Sequence, residues 1–347
     1  MLLNFSLYKI QIKSLGSSPM FSHRFYNVTC IKSSFNRFFS NVFFNNKILN
    51  VESSDFNQII GSAILSIGSC GEIQGDFDTR KKLSDRECYV ITKSRFSKCS
   101  LLSNDAVGGG AIRIAGICNL LYIYYTSFFE CCATSRAFHE GGAVYFCGMF
   151  FDIHSCYAEK CNSAWYGQFI SAKPGNSPQT SSMLNCTSVN YCPEQSNQGS
   201  HYCCYLNKLI CSMKFVNFSN NHLSGYGAAF AISFPFDISL SYINVLSNSG
   251  MNIMTFQKPP TGTDISKFNV INNTAKSPGI FMVKGQWKFY DFALINNIGP
   301  LIAPDWDPPG SASFTNCSLD KVYQTLNLVE FVSCRIEVLP RVFPAVC

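Results

Sequence analysis

The sequence predicts an all-β chain, wound as a single-stranded right-handed parallel β-helix of roughly ten coils. Three observations predict it. Phe, Ile, Val, Tyr, Ser, Thr and Asn dominate the composition, and these residues suit strands and tight turns better than helices. A unit of roughly 20 to 33 residues recurs along the chain, the period of a solenoid turn. Within each unit a Gly-led apolar run follows a Phe-x-x-[Cys/Asn] segment in fixed order.

At 347 residues the chain can bury a large core, and with 14% charged and 14% aromatic residues it is neither disordered nor a highly charged helical protein. The net charge of +6 is spread along the sequence, with Arg80, Lys81, Lys82 and Arg86 as its densest cluster. A nucleic-acid groove needs basic residues concentrated on one face with aromatics between them, so no nucleic-acid partner is expected. No apolar window reaches the length of a membrane-spanning helix; the best, Ile117 to Phe129, is short and rich in Tyr. Lys9 and Lys13 interrupt the N-terminal apolar stretch, so no clear signal peptide is read there.

The strongest repeats run Arg95-Phe-Ser-Lys-Cys99 to Gly109-Gly-Ala-Ile-Arg-Ile114, and Phe128-Phe-Glu-Cys-Cys132 to Gly141-Gly-Ala-Val-Tyr-Phe146. Phe96 aligns with Phe129, Cys99 with Cys132, and Gly109, Gly110, Ala111 and Ile112 with Gly141, Gly142, Ala143 and Val144. A third copy carries Phe218 and Asn221 before Gly225 to Ile232. Weaker copies close on Asn248, Asn273 and Asn297, and two short ones on Cys317 and Cys334. Phe38 to Asn41 and Phe43 to Asn46 carry the same grammar upstream. The expected organisation is an N-terminal segment or cap over residues 1–24, the β-helix over 25–335 and a tail over 336–347.

In such a coil alternate residues point inward. Phe96, Ile112, Phe129, Val144, Phe218 and Phe230 are therefore expected to stack from coil to coil. Gly110 and Gly142 are expected at corners where a Cβ has no room. The closing position takes either Cys or Asn: fourteen of the eighteen cysteines lie between Cys70 and Cys211, and Asn occupies the place between Ser212 and Asn316. Asn closes a turn and stacks as an amide ladder, and Cys fits the same small buried site as a weak donor. Cys99, Cys132, Cys317 and Cys334 are thus expected as reduced ladder thiols. Any disulfide is expected in the irregular stretch from Cys186 to Cys211.

At these Gly-Gly-Ala-[Ile/Val] and Phe-x-x-Asn tetrapeptides the chain resembles the polymorphic membrane protein family, including its expanded protist surface relatives. The matches are Gly109 to Ile112, Gly141 to Val144, Phe38 to Asn41, Phe43 to Asn46 and Phe218 to Asn221. The resemblance implies a right-handed parallel β-helix at a cell surface or secreted, adhesin-like or antigenic, meeting a host or matrix protein or glycan. Neither a C-terminal translocation barrel nor an apolar tail is read here, which points to a secreted form or a fragment of a larger adhesin.

Catalysis has little support. Glycoside hydrolysis needs two carboxyl groups flanking one bond, and the nearest pairs, Asp76 with Asp78 and Asp305 with Asp307, sit in turn-like sequence without a neighbouring His or Arg. The alternative is a carbohydrate-active β-helix enzyme with an unrecognised site. Cys186, Cys192, His201, Cys203, Cys204 and Cys211 lack the paired spacing of structural zinc, so neither a metal nor another cofactor is expected. Trp165, Tyr166 and Trp306 are suited to stacking on sugar rings or to packing.

Overall fold

Why the chain stacks follows from its strands, which are too short and too one-sided to be stable singly. The computed structural model describes residues 3–13, 19–22, 25–67, 87–101, 108–116, 119–134, 139–174, 181–193, 201–260, 263–302, 310–321 and 329–336. Among these there is no helix, and every strand pairing is parallel. One sheet gathers 23 strands and a second gathers nine, each in sequence-ordered succession along the stack.

A representative turn begins with the strand Leu120–Tyr124, bends, continues as Ser127–Phe129, and reaches the second sheet as Val144–Gly148. The next turn repeats this with Phe150–His154, Tyr157–Glu159 and Ile170–Pro174, each beside its predecessor. Three rows of strands therefore run the length of the stack. The interval between equivalent residues varies from 48 (Ile64 to Ile112) to 17 (Ala312 to Val329), because insertions leave at the turns while the strands keep register. Leu3–Tyr8 and Gln11–Lys13 pair with Phe25–Ile31 and Ser34–Phe38, so residues assigned above to a cap belong to the stack. The tail from residue 337 onward lies outside the described residues.

The interior is a column of side chains. Phe35, Phe56, Phe96 and Phe128 stack with ring centroids 5.1, 4.7 and 5.3 Å apart. Where this row narrows to Ala158, Phe169 enters from the third row and meets Phe128 at 5.6 Å. Phe96, Ile112, Val144, Phe218 and Phe230 are all fully buried.

The register differs from expectation at one doublet. Phe96 pairs with Phe128, not Phe129, and Phe129 lies on the outside, 4.9 Å beneath the Arg95 guanidinium. Correspondingly Cys131 joins the buried column with Cys99, while Cys132 pairs with Asn162 one step further on. The two Phe and two Cys of Phe128-Phe-Glu-Cys-Cys132 fit the tetrapeptide in either phase. The left-handed residue decides, since Glu130 (φ 50°) matches Lys98 (φ 54°). The same slip affects Phe38 to Asn41 and Phe43 to Asn46: the residues aligned with Phe96 are Phe35 and Phe56, and Phe43 belongs to the second sheet.

The bends after the first and second rows are made by non-glycine residues in the left-handed region, Lys93, Tyr125 and Ser155 at one and Lys98, Glu130 and Lys160 at the other. Such a residue costs roughly 1 kcal/mol. The ladder runs straight through it: Lys93 N–H donates to the Tyr124 carbonyl at 2.9 Å and Tyr125 N–H to that of His154 at 3.0 Å. Glycine serves before the second sheet, where Gly109 and Gly141 have φ of 86° and 66°, and also after it at Gly285, with φ of 95°. Gly110 and Gly142 are required for space, since a Cβ would lie 2.6 Å from the Cys132 carbonyl oxygen and 2.5 Å from that of Asn162.

Each bend is followed by an inward polar ladder. At the second bend it reads Cys99, Cys131, Cys161, Cys192, Asn221, Asn248, Asn273 and Asn297. The Cys161 N–H donates to Cys192 Sγ at 3.3 Å, the Cys192 N–H to Asn221 Oδ1 at 2.7 Å, and the Asn221 N–H to Asn248 Oδ1 at 3.0 Å. Sulfur and amide oxygen thus accept from the turn below in the same way, which is why Cys and Asn exchange. Cys317 and Cys334 occupy the other ladder, at the first bend, in line with Ser33, Ser54, Ser94 and Thr126; there the Phe292 N–H donates to Cys317 Sγ and the Cys317 N–H to Cys334 Sγ. Their Phe-x-x-Cys pattern mimics the second bend because both bends put a small residue directly after a left-handed one.

Cys99, Cys131, Cys132, Cys317 and Cys334 are free thiols, and so are Cys186, Cys192, Cys203, Cys204 and Cys211. Cys147 instead takes part in a disulfide. The expected site for a bridge was therefore misplaced: Cys192, Cys203, Cys204 and Cys211 are fully occupied as core side chains.

Candidate functional site

Alternation within the third row sends Ile112 and Ile114 into the core and Arg113 to the outer face. Register then aligns Leu65, Arg113, Tyr145, Ser171, Tyr205 and Ala231 as one outward row across successive turns. These residues are far apart in sequence and adjacent only because the strands are parallel and in step. The outer face holds two connected groups, one charged and one aromatic.

Glu140 enters beside this row from the turn before Val144–Gly148. Its buried carboxylate accepts from Ser171 Oγ at 2.7 Å and pairs with Lys173 Nζ at 2.7 Å. Arg113 is only 8% exposed, its Nε is buried without a partner, and no carboxylate among the described residues pairs with its guanidinium. Burial lowers the Arg113 pKa, with neighbouring Tyr145 opposing that shift. The Tyr145 hydroxyl is pushed up to about 12 by burial first and the Glu140 charge second. Glu140 and Lys173 cancel, so the group carries one net positive charge, that of Arg113.

Beside it six rings form a shelf. Trp165 and Tyr166 lie 5.1 Å apart, Trp165 and His201 4.9 Å, Tyr166 and Tyr205 4.7 Å, Tyr202 and Tyr205 5.4 Å, and His201 and Tyr226 5.4 Å. Trp165, Tyr166, His201, Tyr205 and Tyr226 are half-buried, so one side of the shelf meets solvent. Gly227 permits the packing, since a Cβ there would strike the Tyr202 ring. Burial lowers the His201 pKa, favouring the neutral imidazole among its aromatic neighbours.

A smaller patch lies on the first row, where Tyr124 donates to Asp152 Oδ2 at 2.8 Å, Tyr122 and Phe150 pack at 5.5 Å, and Tyr125 is 61% exposed. Each patch has one carboxylate. A glycosidase needs two, roughly 5 to 10 Å apart across the bond. Among the described residues no group of three or more His, Cys, Asp or Glu could hold a metal ion: His201 lies in the aromatic shelf, and Cys203 and Cys204 face the core. Asp76, Asp78, Asp305, Trp306 and Asp307 lie outside the described residues, as does the basic cluster of Arg80, Lys81, Lys82 and Arg86.

Of the residues singled out from sequence for repeat structure, none belongs to the shelf or the charged group. Ile112 and Val144 flank it from the core side, and Gly109, Gly110, Gly141 and Gly142 shape the turns that lead into it. Trp165 and Tyr166 were the visible part. Arg113, interrupting the apolar run Ala111-Ile-Arg-Ile114, was an available signal for the rest. No protein-family model matches the chain, and neither a curated protein nor a solved structure matches it.

Proposed function

We propose that this chain is a right-handed parallel β-helix that acts without catalysis, as a binding scaffold at a cell surface or in secreted form, and that it takes a host or matrix glycan or protein on the outer face of its third row. Twelve successive pairings link thirteen strands of the first row, from Leu3–Tyr8 to Val329–Val332, which on this reading are thirteen coils rather than ten. Right-handed winding is the near-universal sense for parallel strand crossovers.

The observation that carries the reading is the six-ring shelf beside a charged group whose one carboxylate is already tied to Lys173 and Ser171. Half-exposed aromatics supply stacking surface at small entropic cost, and here the turns that carry them stack through the Tyr166–His201 bridge beside the strand that carries Tyr205. The Glu140 carboxylate is already engaged by Lys173 Nζ and Ser171 Oγ, each at 2.7 Å. The adhesin-like role is what the resemblance to the polymorphic membrane protein family implies.

Two measurements test this. The purified chain, immobilised and exposed to defined oligosaccharides and matrix proteins, should retain a ligand that Trp165→Ala with Tyr166→Ala releases, and it should generate no new reducing ends from soluble polysaccharides. Polysaccharide cleavage by the wild-type chain would overturn the reading. Labelling of intact cells with a membrane-impermeant reagent should reach the protein, and exclusive labelling after lysis would contradict the surface assignment.

A further inference from the structure

We infer that the third-row face recognises an acidic sugar unit, its carboxylate or sulfate taken by Arg113 and its ring lying along the adjoining shelf. The inference rests on reading that face as a ligand surface and deepens it by naming the ligand chemistry.

A buried charged group without a partner is costly, and buried charges in proteins are paired as a rule. Arg113 departs from this: it is nine-tenths buried, with no hydrogen bond or ion pair from any described residue. Glu140, the nearest structural anion of the group, is consumed by Lys173 and Ser171. The guanidinium is a planar fork matched to carboxylate and sulfate oxygens, and an anion held there gains from the low local dielectric. Tyr145, one turn along, offers a hydroxyl that stays protonated because its pKa is raised to about 12. Two further turns along the same row stands Tyr205, whose ring contacts Tyr166 and Tyr202. Three inter-strand steps of roughly 4.8 Å separate Arg113 from Tyr205, a span suited to a short oligosaccharide rather than to a lone ion. A neutral glycan would leave the arginine as it is, and a cationic one would be repelled by the net positive charge of the group.

The test uses the intact chain, hyaluronan hexasaccharide as the carboxylate probe, heparin hexasaccharide as the sulfate probe and chitohexaose as the neutral control. Wild type should bind at least one acidic probe about tenfold or more tightly than chitohexaose, and added salt should erode that preference. Arg113→Met should abolish the preference and melt at or above the wild-type temperature, because an unpaired buried charge has been removed. Arg113→Lys keeps the charge without the fork and should fall between. Preference for hyaluronan over heparin identifies carboxylate recognition, and the reverse, if it is lost with desulfated heparin hexasaccharide, identifies sulfate. Equal binding of acidic and neutral probes, or an undiminished preference in Arg113→Met, would overturn the inference while leaving the binding reading intact. Destabilisation by Arg113→Met would also overturn it, since the arginine would then be satisfied within the fold. Failure to bind any of the three probes would count against the glycan reading itself.

Discussion

Truncating one rung of the amide ladder, Asn248→Ala, perturbs the interior without emptying much volume. The Asn248 carboxamide accepts from the Asn221 N–H at 3.0 Å and from Asn221 Nδ2 at 2.9 Å, and its own Nδ2 donates to the Phe218 carbonyl and to Asn273 Oδ1, both at 3.0 Å. Alanine leaves two donors on Asn221 and one carbonyl on Phe218 without that partner, in a place no water reaches. An orphaned buried group costs about 1 to 3 kcal/mol, and neighbours relax, so the sum is about 3 to 5 kcal/mol. Asn248→Cys keeps an acceptor of the kind seen between Cys161 and Cys192 at 3.3 Å and should cost about half as much. Because a stack of turns unfolds in part before it unfolds as a whole, the midpoint of urea unfolding should be read together with amide exchange at Asn221. That amide should exchange faster in Asn248→Ala and stay largely protected in Asn248→Cys. An alanine variant within about 0.5 kcal/mol of wild type, or a cysteine variant as damaged as the alanine one, would refute the ladder as the source of this stability.

Phe128→Ala should cost about 3 to 5 kcal/mol and Phe129→Ala under about 1 kcal/mol in thermal unfolding, because only Phe128 stands in the buried ring column; equal losses would contradict the register. Gly110→Val and Gly142→Val should both sharply lower soluble expression, since each Cβ meets backbone of the neighbouring turn that cannot move alone; tolerance of either would show that its bend is not close-packed. Burial lifts the Cys156 and Cys211 thiols from 9.0 to about 12. Their folded forms favour the protonated state, so this contribution to stability is complete below about pH 9 and disappears as pH rises from 9 towards 12. Urea midpoints should be flat across neutral pH and fall in that alkaline window, and Cys→Ala at either site should flatten the fall. Alkylation of the folded chain should spare the ladder thiols Cys99, Cys131, Cys161 and Cys192 until denaturant is added; rapid labelling of these four at neutral pH would show that they are not enclosed.

The parallel stack was legible because each turn repeats a few chemically distinctive residues in order, and the interchange of Cys with Asn pointed to a shared inward position. Phase within a doublet was not legible. In Phe128-Phe-Glu-Cys-Cys132 both frames satisfy Phe-x-x-Cys, and the residue that chooses between them, Glu130, reveals its left-handed conformation only in the fold. Turns were assigned to Gly or Asn, and Asn45, Asn220, Asn272, Asn296 and Asn316 do take the left-handed conformation, yet Lys, Tyr and Ser together take it more often, since the continuous hydrogen-bond ladder offsets the strain of φ near 50°. Leu3–Tyr8 escaped notice because its copy lacks both tetrapeptides. The candidate site was legible at Trp165 and Tyr166, and at His201 only as a metal-ligand candidate rather than as a ring of the shelf. Arg113, Glu140, Tyr145, Ser171 and Tyr205 come together through register between turns, and a one-residue slip in any strand would send its outward side chain to the core.

The central claim is that parallel register assembles one ligand face from segments scattered over about a third of the chain. Hydrogen–deuterium exchange with and without a bound heparin or hyaluronan hexasaccharide tests it most directly. Protection should appear together in peptides covering 109–116, 139–148, 165–174 and 201–207, with the first-row strands Leu120–Tyr124 and Ile210–Lys214 unchanged. Protection confined to one contiguous segment, or centred on the first row, would contradict it.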